Sequence, residues 1–366
     1  MIREAIRVRG PVSFAWFMEQ ALYHPEHGYY SPGRAAIGRE GDYFTSVSTG
    51  PLFGRVLAAQ FSEMWETLGR PNDFTIVEQG AHDGQFARDL LGAAQRHHPD
   101  FLRALRYEII EPFRPWQQRQ AATLAEFESK VRWRNSLVEL PPFRGLHFSN
   151  ELLDALPVHL LRWTGAEWCE RHVTERDGSF AFVDLPLANP ELAKRLCNIP
   201  MPLPPGYETE VNLAALSWME QIASKLTAGF VVVADYGYAR DEFYAPHRTN
   251  GTLRCYAKHR VVASPLSEIG HADITAHVEW TSLMECAEAS GLNVAGFTDQ
   301  HHFITGLLAG ALGQEFGPDA DPEVHRALQT LLHPGFFGMK FQFLALAKNL
   351  DSTTRLSGFR FARQQL

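Results

Sequence analysis

The segment Thr75–Gln85 places an acidic residue and two glycines at the end of a short apolar run. The β-branched residues at 75–77 predict a buried strand, and Glu78 follows them at its carboxyl end. Gly80 and Gly84 allow the backbone to turn tightly and to approach a ligand closely. The residues after them predict a helix. The segment therefore predicts a strand, a turn and a helix that together form a ligand crevice with a carboxylate at its edge.

The spacing of the glycines limits the kind of ligand. Their G-x-x-x-G pattern differs from the G-x-G-x-x-G pattern of dinucleotide-binding folds, which argues against a nicotinamide dehydrogenase. A carboxylate beside the turn would repel a pyrophosphate, whereas it would attract a cation. We therefore expect a cationic cofactor such as S-adenosylmethionine, which carries an amino group and a sulfonium.

Three later predicted strands also end in polar residues. The acid after the second strand lies where doubly wound folds bind ribose hydroxyls. The amide and hydroxyl after the third strand are placed to meet an adenine edge. Because parallel strands end at one edge of a sheet, we expect all these groups to face one crevice. They are Glu111, Asn135 with Ser136, and Asn150 with Glu151.

Length and composition are those of an ordinary globular enzyme. The chain has 366 residues, of which 45% are hydrophobic and 21% charged, and its formal net charge is -8. This charge argues against nucleic acid as a partner. The four scattered cysteines predict reduced thiols, and no histidine or cysteine spacing matches a metal site. No segment is long and apolar enough to span a bilayer, and the N-terminus lacks the apolar core of a signal peptide, so we expect a cytoplasmic protein.

The order of predicted elements divides the chain into three regions. An N-terminal helical module comes first, and an α/β domain of about seven strands follows. Two groups of antiparallel strands interrupt this domain, and one of its helices is predicted over 209–227. The expected regions are 1–70 for the module, 71–350 for the α/β domain with insertions near 157–205 and 238–278, and 351–366 for a C-terminal tail.

An aromatic, glycine-punctuated loop in the N-terminal module has two interpretations. Its side chains could close over the crevice as a lid that contacts the substrate, or they could fill the core of the module. The lid residues would be Tyr29, Tyr30, Asp42 and Thr45, and Thr45 is also a predicted cofactor contact.

Seven sequence motifs occur in an order that resembles the MidA family of S-adenosylmethionine-dependent methyltransferases, which includes a mitochondrial complex I assembly-factor arginine methyltransferase. The resemblance extends from about residue 10 to residue 348. The motifs are 10–14 (GPVSF), 23–30 (YHPEHGYY), 41–46 (GDYFTS), 150–158 (NELLDALPV), 235–238 (DYGY), 251–256 (GTLRCY) and 273–278 (DITAHV).

The resemblance implies a class I methyltransferase fold, a Rossmann-like seven-stranded sheet whose last strand is antiparallel. It implies that Glu78, Gly80 and Gly84 hold the methionine part of the cofactor, that Glu111 holds the ribose, and that the residues after the third strand hold the adenine. The chain departs from the family at His82, where a glycine is common, and at 47–51, where an expected carboxylate is missing. Asn135 also replaces an acid, although its carbonyl oxygen can still accept from the adenine amino group.

Methyl transfer to arginine would require carboxylates, because the guanidinium is protonated in water and is a poor nucleophile. Glu151 and Asp154 are the best candidates, three residues apart, and on a helical turn they would share one face. Alternatively, Asp154 caps a helix and Glu151 braces the lid. Asn150 could orient the acceptor or contact the methionine part of the cofactor. Asp273 and His277 form a second group, in which the histidine is suited to accept a proton near neutral pH.

Three functions remain open at this point. The first is methylation of a protein side chain, with arginine favoured and a respiratory-complex subunit as one possible partner. The second is methylation of a small molecule. The third is an assembly or binding factor that has kept the fold and lost catalysis, which His82 in the cofactor loop would support. The sequence does not indicate the oligomeric state.

Overall fold

The structure is a computed structural model that describes residues 1–31, 47, 50–257, 260–310, 312, 322–333, 335, 338–351 and 355–362. Within these residues the helices are α1 (Ile2–Arg9), α2 (Phe14–Tyr23), α3 (Leu52–Thr67), α4 (Gln85–His97), α5 (Pro99–Ala104), α6 (Arg114–Thr123), α7 (Pro190–Leu196), α8 (Leu213–Lys225), α9 (Arg240–Phe243), α10 (Trp280–Ala289), α11 (Gln300–Leu308) and α12 (Pro322–Leu332).

The strands are numbered in the same way, in chain order. They are β1 (Val12–Ser13), β2 (Phe74–Gln79), β3 (Leu105–Ile110), β4 (Val131–Arg134), β5 (Phe143–Asn150), β6 (His159–Trp163), β7 (Trp168–Arg176), β8 (Ser179–Pro186), β9 (Glu208–Val211), β10 (Leu226–Tyr238), β11 (Arg254–Ala257), β12 (Arg260–Val261), β13 (Asp273–Thr275), β14 (Val278–Glu279), β15 (Asn293–Asp299) and β16 (Phe341–Lys348).

The main sheet has seven strands in the order β15-β16-β10-β5-β2-β3-β4, and β14 adds a short pairing at the end of β10. The pairs from β10 to β4 are parallel, whereas β16 is antiparallel to both β10 and β15. Val231, Val232 and Val233 at the centre of β10 are fully buried, as expected for a strand covered on both faces. The predicted α/β sheet with an antiparallel last strand is confirmed.

The chain forms two compact units, which we call the sheet unit and the insertion unit. The sheet unit comprises residues 45–152, 219–236 and 284–366, and the insertion unit comprises residues 1–44, 153–218 and 237–283. The insertion unit thus combines the N-terminal residues with both predicted insertions. The described residues 50–70, which the sequence analysis placed in the N-terminal module, group with the sheet.

The insertion unit contains two small sheets. One has five strands, with β1, β7, β6 and β9 in order and β8 paired to β7, and the other has the order β12-β11-β13. The first apolar cluster packs α1 and α2 against these sheets, and the second gathers buried residues such as Leu161, Tyr207 and Phe243. Ser13 caps α2, because its Oγ accepts a hydrogen bond from the backbone N–H of Trp16.

The helix predicted over 209–227 begins later in the structure. Residues 208–211 form β9, which pairs antiparallel with β6, and α8 starts at Leu213. The side chain of Asn212 caps this helix by accepting from the N–H of Ala215 at 2.9 Å. Strand pairing in the insertion unit therefore prevails over the helical pattern for residues 209–211, the three before the cap.

Candidate functional site

Glu78 lies near the carboxyl end of β2, between β3 and β5 in the centre of the parallel sheet. Its side chain is buried, and one carboxylate oxygen accepts a hydrogen bond from the Tyr107 hydroxyl at 2.9 Å. Burial raises the pKa of Glu78 to about 8, although the hydrogen bond from Tyr107 opposes this shift. A cation placed against this carboxylate would relieve the cost of burying its charge.

Gly80 and Gly84 begin and end the turn that follows β2. Both have a positive φ, 84° at Gly80 and 82° at Gly84, a region that favours glycine. Gly84 precedes the first residue of α4, and a Cβ added there would lie 3.3 Å from the Cα of Gln120. The turn therefore needs glycine at 84 both for its backbone conformation and for its packing against α6.

His82 occupies the middle of this turn with a φ of 46°. A residue other than glycine is strained at such a φ, so the His82 backbone is strained, although histidine tolerates this region better than most residues. Its ring lies 4.8 Å from the ring of Trp116, and its Nδ1 is 3.6 Å from a carboxylate oxygen of Asp83. The His82 carbonyl accepts from the side chain of Gln120 at 2.8 Å. Three contacts thus hold the backbone in its strained conformation.

Glu111 follows β3, and its carboxylate is held by two donors. One oxygen accepts from the N–H of Phe113 at 3.0 Å, and the other accepts from the side chain of Gln120 at 3.1 Å. Burial raises the pKa of Glu111 to about 7, against the effect of these two donors. A carboxylate in this position can accept hydrogen bonds from ribose hydroxyls, as in other doubly wound folds.

Gln120 is a buried residue of α6 that the sequence analysis missed. Its Nε2 donates both to the His82 carbonyl and to Glu111, while its Oε1 accepts from the indole N–H of Trp133 on β4 at 2.8 Å. One side chain thus connects the turn after β2 to the ends of β3 and β4. A glutamine within a polar helix is only a weak sequence signal for a site residue, because no sequence pattern predicts which groups it will contact.

Asn135 and Ser136 follow β4 at the edge of the sheet. The Asn135 side chain donates to Glu139 and accepts from Gln117 at 3.1 Å. Ser136 has an extended backbone and precedes a short 3-10 turn. The side-chain amide oxygen of Asn135 therefore already accepts a hydrogen bond from Gln117. An adenine amino group would have to share this oxygen with Gln117 or displace Gln117.

Asn150 and Glu151 lie at the end of β5, beside β2. The Asn150 Nδ2 donates to a carboxylate oxygen of Glu151 at 3.1 Å. Its Oδ1 is buried and has no hydrogen-bond partner among the described residues. Glu151 has a φ of 51°, and its N–H donates to the Ala234 carbonyl. Such strain in a residue other than glycine is common at functional sites.

Asp154 does not share a helical turn with Glu151, as the sequence analysis had supposed. Residues 151–156 form bends and a turn, and no helix begins there. Asp154 is buried in the insertion unit, where its carbonyl accepts from the N–H of Ala276. The expected i, i+3 relation between the two carboxylates is therefore wrong, because the chain leaves the sheet between them.

The other candidates of the insertion unit form two groups. The Tyr30 hydroxyl donates a hydrogen bond to a carboxylate oxygen of Asp273 at 2.8 Å. Tyr29 is buried, and its ring packs against the ring of Tyr30. His277 stacks on Tyr238 with 5.1 Å between the ring centroids. Burial, together with Arg248 and Arg254, lowers the pKa of His277 to about 4, which weakens it as a proton acceptor near neutral pH. The predicted lid residues Asp42 and Thr45 lie outside the described residues.

The sheet unit brings one set of predicted site residues to a single edge. All of them follow, or lie within two residues of, the carboxyl ends of four adjacent parallel strands, which is where ligands bind in open α/β sheets. The set is Glu78, Gly80, Gly84, Glu111, Asn135, Ser136, Asn150 and Glu151. The arrangement combines two buried carboxylates, a close-packed glycine turn and an orphaned amide oxygen, and it fits the cationic, hydroxyl-bearing cofactor expected from the sequence.

The described part of the chain holds neither a cluster of metal-ligating side chains nor a membrane-spanning helix. No group of three or more histidine, cysteine or acidic side chains there could hold a metal ion. No helix within that part is long and apolar enough to cross a membrane.

Comparisons with known proteins agree with this geometry. A family model for S-adenosyl-L-methionine-dependent methyltransferases matches residues 56–298. The chain belongs to the MidA family of these enzymes. The chain is thus an S-adenosylmethionine-dependent methyltransferase, and its cofactor is S-adenosylmethionine.

Similar proteins cover nearly the full length of the chain. The Drosophila melanogaster "Protein arginine methyltransferase NDUFAF7 homolog, mitochondrial" is 28% identical, over 96% of this chain and 86% of that protein. The Homo sapiens "Protein arginine methyltransferase NDUFAF7, mitochondrial" is 24% identical, over 98% and 84%. The crystal structure of a COG1565 superfamily member from Burkholderia thailandensis, bound to S-adenosyl-homocysteine, is 30% identical with a TM-score of 0.88, over 99% of this chain and 94% of that one.

Proposed function

We propose that this methyltransferase transfers a methyl group to a side-chain nitrogen of arginine in a protein acceptor. The observation that carries the proposal is the pair Asn150 and Glu151 at the end of β5, next to the strand that carries Glu78. Glu151 has a strained backbone, and its carboxylate beside the cofactor edge is suited to bind a guanidinium. The similar proteins from fly and human, which are named protein arginine methyltransferases, support the same choice of acceptor.

When bound, S-adenosylmethionine supplies an electrophilic methyl group on a sulfonium. The protein must orient the acceptor nitrogen, exclude water and accept the proton that this nitrogen loses. We assign the binding of the guanidinium and the acceptance of this proton to the Glu151 carboxylate. Asn150 orients that carboxylate through the 3.1 Å hydrogen bond from its Nδ2, which leaves its Oδ1 to accept a hydrogen bond from acceptor or cofactor.

Asp154 remains a second candidate for binding the acceptor guanidinium. Tyr30 and Asp273 remain candidates for contacts with the substrate, since they form a hydrogen-bonded pair in the insertion unit. His277 is assigned no proton transfer, because its lowered pKa makes its neutral imidazole a weak base.

The test is a methylation assay on intact proteins. Purified enzyme is incubated with tritiated S-adenosylmethionine and an extract of cells that lack the gene, and labelled amino acids are identified after hydrolysis. We expect labelled methylarginine with the wild type, and a rate at least about 100-fold lower with Glu151→Gln, as for loss of a general base. Glu268→Gln is the matched control, because Glu268 is exposed and has a similar φ of 53°.

Each other outcome selects a different function. Label in the metabolite fraction alone would show a small-molecule methyltransferase. Saturable cofactor binding without label in either fraction would favour an assembly or binding factor. Equal rates for Glu151→Gln and Glu268→Gln would remove Glu151 from the mechanism while leaving the acceptor class intact.

A respiratory-complex subunit is the acceptor protein that the family suggests, and identifying the labelled polypeptide by mass spectrometry tests this. The four free cysteines support a reducing, cytoplasmic location, which fractionation of cells that express the tagged protein would test.

A further inference from the structure

The insertion unit contains a cleft that the methyl-transfer chemistry does not use. It encloses about 520 Å³ of space, including its open mouth, between α7, α9 and the first turns of α8 and α10. Val211, Phe243 and Leu283 give it apolar walls, and Arg195, Glu210 and Glu279 are charged residues of its lining. Its lining combines apolar walls with a few polar groups, as at a small-molecule site.

The two carboxylates of the cleft are already engaged. Glu210 is buried and accepts from the N–H and hydroxyl of Thr252 and from the N–H of Leu253, at 3.0 to 3.2 Å. Glu279 accepts from the N–H of Ser282 in the first turn of α10, at 3.1 and 3.2 Å. Each carboxylate is therefore held by the protein itself.

Arg195 differs from these two residues. Its Nη2 is buried and has no hydrogen-bond partner among the described residues, and no ion pair joins it to a described acid. The guanidinium lies close enough to the Tyr244 hydroxyl to oppose the rise in pKa that burial causes there. A buried cationic nitrogen without an acceptor is costly, so a site that retains one is suited to an anion.

The remaining features of the cleft define the anion. The first turns of α8 and α10 face it, which favours negative charge. The neighbouring Glu210 and Glu279 would repel a doubly charged phosphate more than a singly charged group. A carboxylate also matches the planar fork of a guanidinium, and the apolar walls can accommodate its methylene groups. We propose that this cleft binds a carboxylate through Arg195, either of a small organic acid or of an acidic side chain.

The probes are the monocarboxylates butyrate and N-acetyl-glutamate α-amide, with inorganic phosphate as the competing anion, each titrated by equilibrium dialysis into the 366-residue protein. Arg195→Met should weaken binding of the carboxylate probe by about 10- to 100-fold, as expected for loss of a charge-assisted pair. Lys194→Met is the matched control, since it removes an exposed charge from the same helix, and it should bind like the wild type.

Two further readouts separate binding from folding. S-adenosylmethionine affinity should be the same in all three proteins, so the result does not depend on the proposed arginine methylation. Without a probe, Arg195→Met should unfold at the same temperature as the wild type or a higher one, because it removes a cation whose Nη2 is buried without an acceptor among the described residues.

Binding of the blocked glutamate would identify an acidic side chain as the ligand, whereas binding of butyrate alone would identify a small acid. Equal binding of a probe by wild type and Arg195→Met, absence of binding by both carboxylates, or tighter binding of phosphate would each overturn the proposal.

Discussion

Glu78 should couple the binding of S-adenosylmethionine to the release of a proton. Its side chain is only 4% exposed. Burial raises its pKa to about 8, the hydrogen bond from Tyr107 lowers it, and Asp83 raises it further. The free enzyme therefore holds this carboxyl mostly protonated at neutral pH. A cationic amino group or sulfonium placed against it favours the ionised form, so cofactor binding must expel the proton.

The size of the effect follows from this pKa. With a value near 8 the carboxyl is protonated in about 0.9 of the free molecules at pH 7, and binding should release about 0.9 proton through this group. Through Glu78 alone, the cofactor affinity should fall about ninefold from pH 7 to pH 6. Glu111, whose pKa is about 7, would add to the loss at the lower pH.

The assay is calorimetric titration at pH 7 in two buffers of different ionisation enthalpy, for the wild type and Glu78→Gln. The difference between the two proteins isolates the proton of Glu78, because the ionisation of the cofactor is common to both. Tyr107→Phe serves as a second variant. It removes a hydrogen bond that lowers the pKa of Glu78, so it should shift the proton-linked range to higher pH. An identical number of released protons in wild type and Glu78→Gln would refute the contact between Glu78 and the cation.

The same carboxyl should affect stability in the absence of cofactor. Its pKa rises from 4.5 to about 8 on folding, so the folded state holds the proton more tightly. The corresponding stability is fully present below pH 4.5 and is lost as the pH rises through 8, by on the order of 5 kcal/mol. The free energy of unfolding of Glu78→Gln, measured by urea denaturation, should therefore fall less between pH 5 and pH 8 than that of the wild type.

Three further predictions concern the turn after β2. Gly84→Ala should destabilise the protein by about 2 kcal/mol, as measured by denaturation, and should weaken cofactor binding. Gly178→Ala is the control, because Gly178 has a similar φ and open space around it. This substitution should therefore cost only the backbone strain of about 1 kcal/mol. Gln120→Leu should cost about 2 to 4 kcal/mol, since it leaves buried groups without partners, and should raise the cofactor Kd; unchanged values would contradict its connecting role. His82→Gly should stay within about 1 kcal/mol of the wild type, because relief of strain offsets the lost contact with Trp116; a gain of cofactor binding would instead indicate that His82 closes the site.

The strand-end residues could be predicted from the sequence because chain direction alone determines where they lie. Once the strands are parallel and adjacent, the residues after them must share an edge, whatever the details of packing. This reasoning placed Glu78, Glu111 and Asn150 correctly. It did not need to know the register of the sheet, and it was helped by the β-branched runs that predict the strands.

The partners of these residues could not be predicted in the same way. Tyr107 and Gln120 contact Glu78 and Glu111 only because β3 pairs with β2 and α6 packs against the turn after β2, and no local pattern records such contacts. The same limit applies to Gly251 in the insertion unit. Its place in a recognisable motif suggested function, but in the structure a Cβ there would collide with the buried carboxylate of Glu210. The glycine of that motif is therefore needed to leave room for the Glu210 side chain.

The departure at His82 illustrates how a tertiary environment can compensate for an unfavourable residue. The turn keeps a positive φ at 82 although glycine is absent, and the cost of about 1 to 2 kcal/mol is opposed by the ring of Trp116 and by the hydrogen bond from Gln120. Both of these residues belong to α6. The shape of the cofactor turn therefore depends on how this helix packs as well as on its glycines, and substitutions in α6 should alter cofactor affinity without touching the ligand.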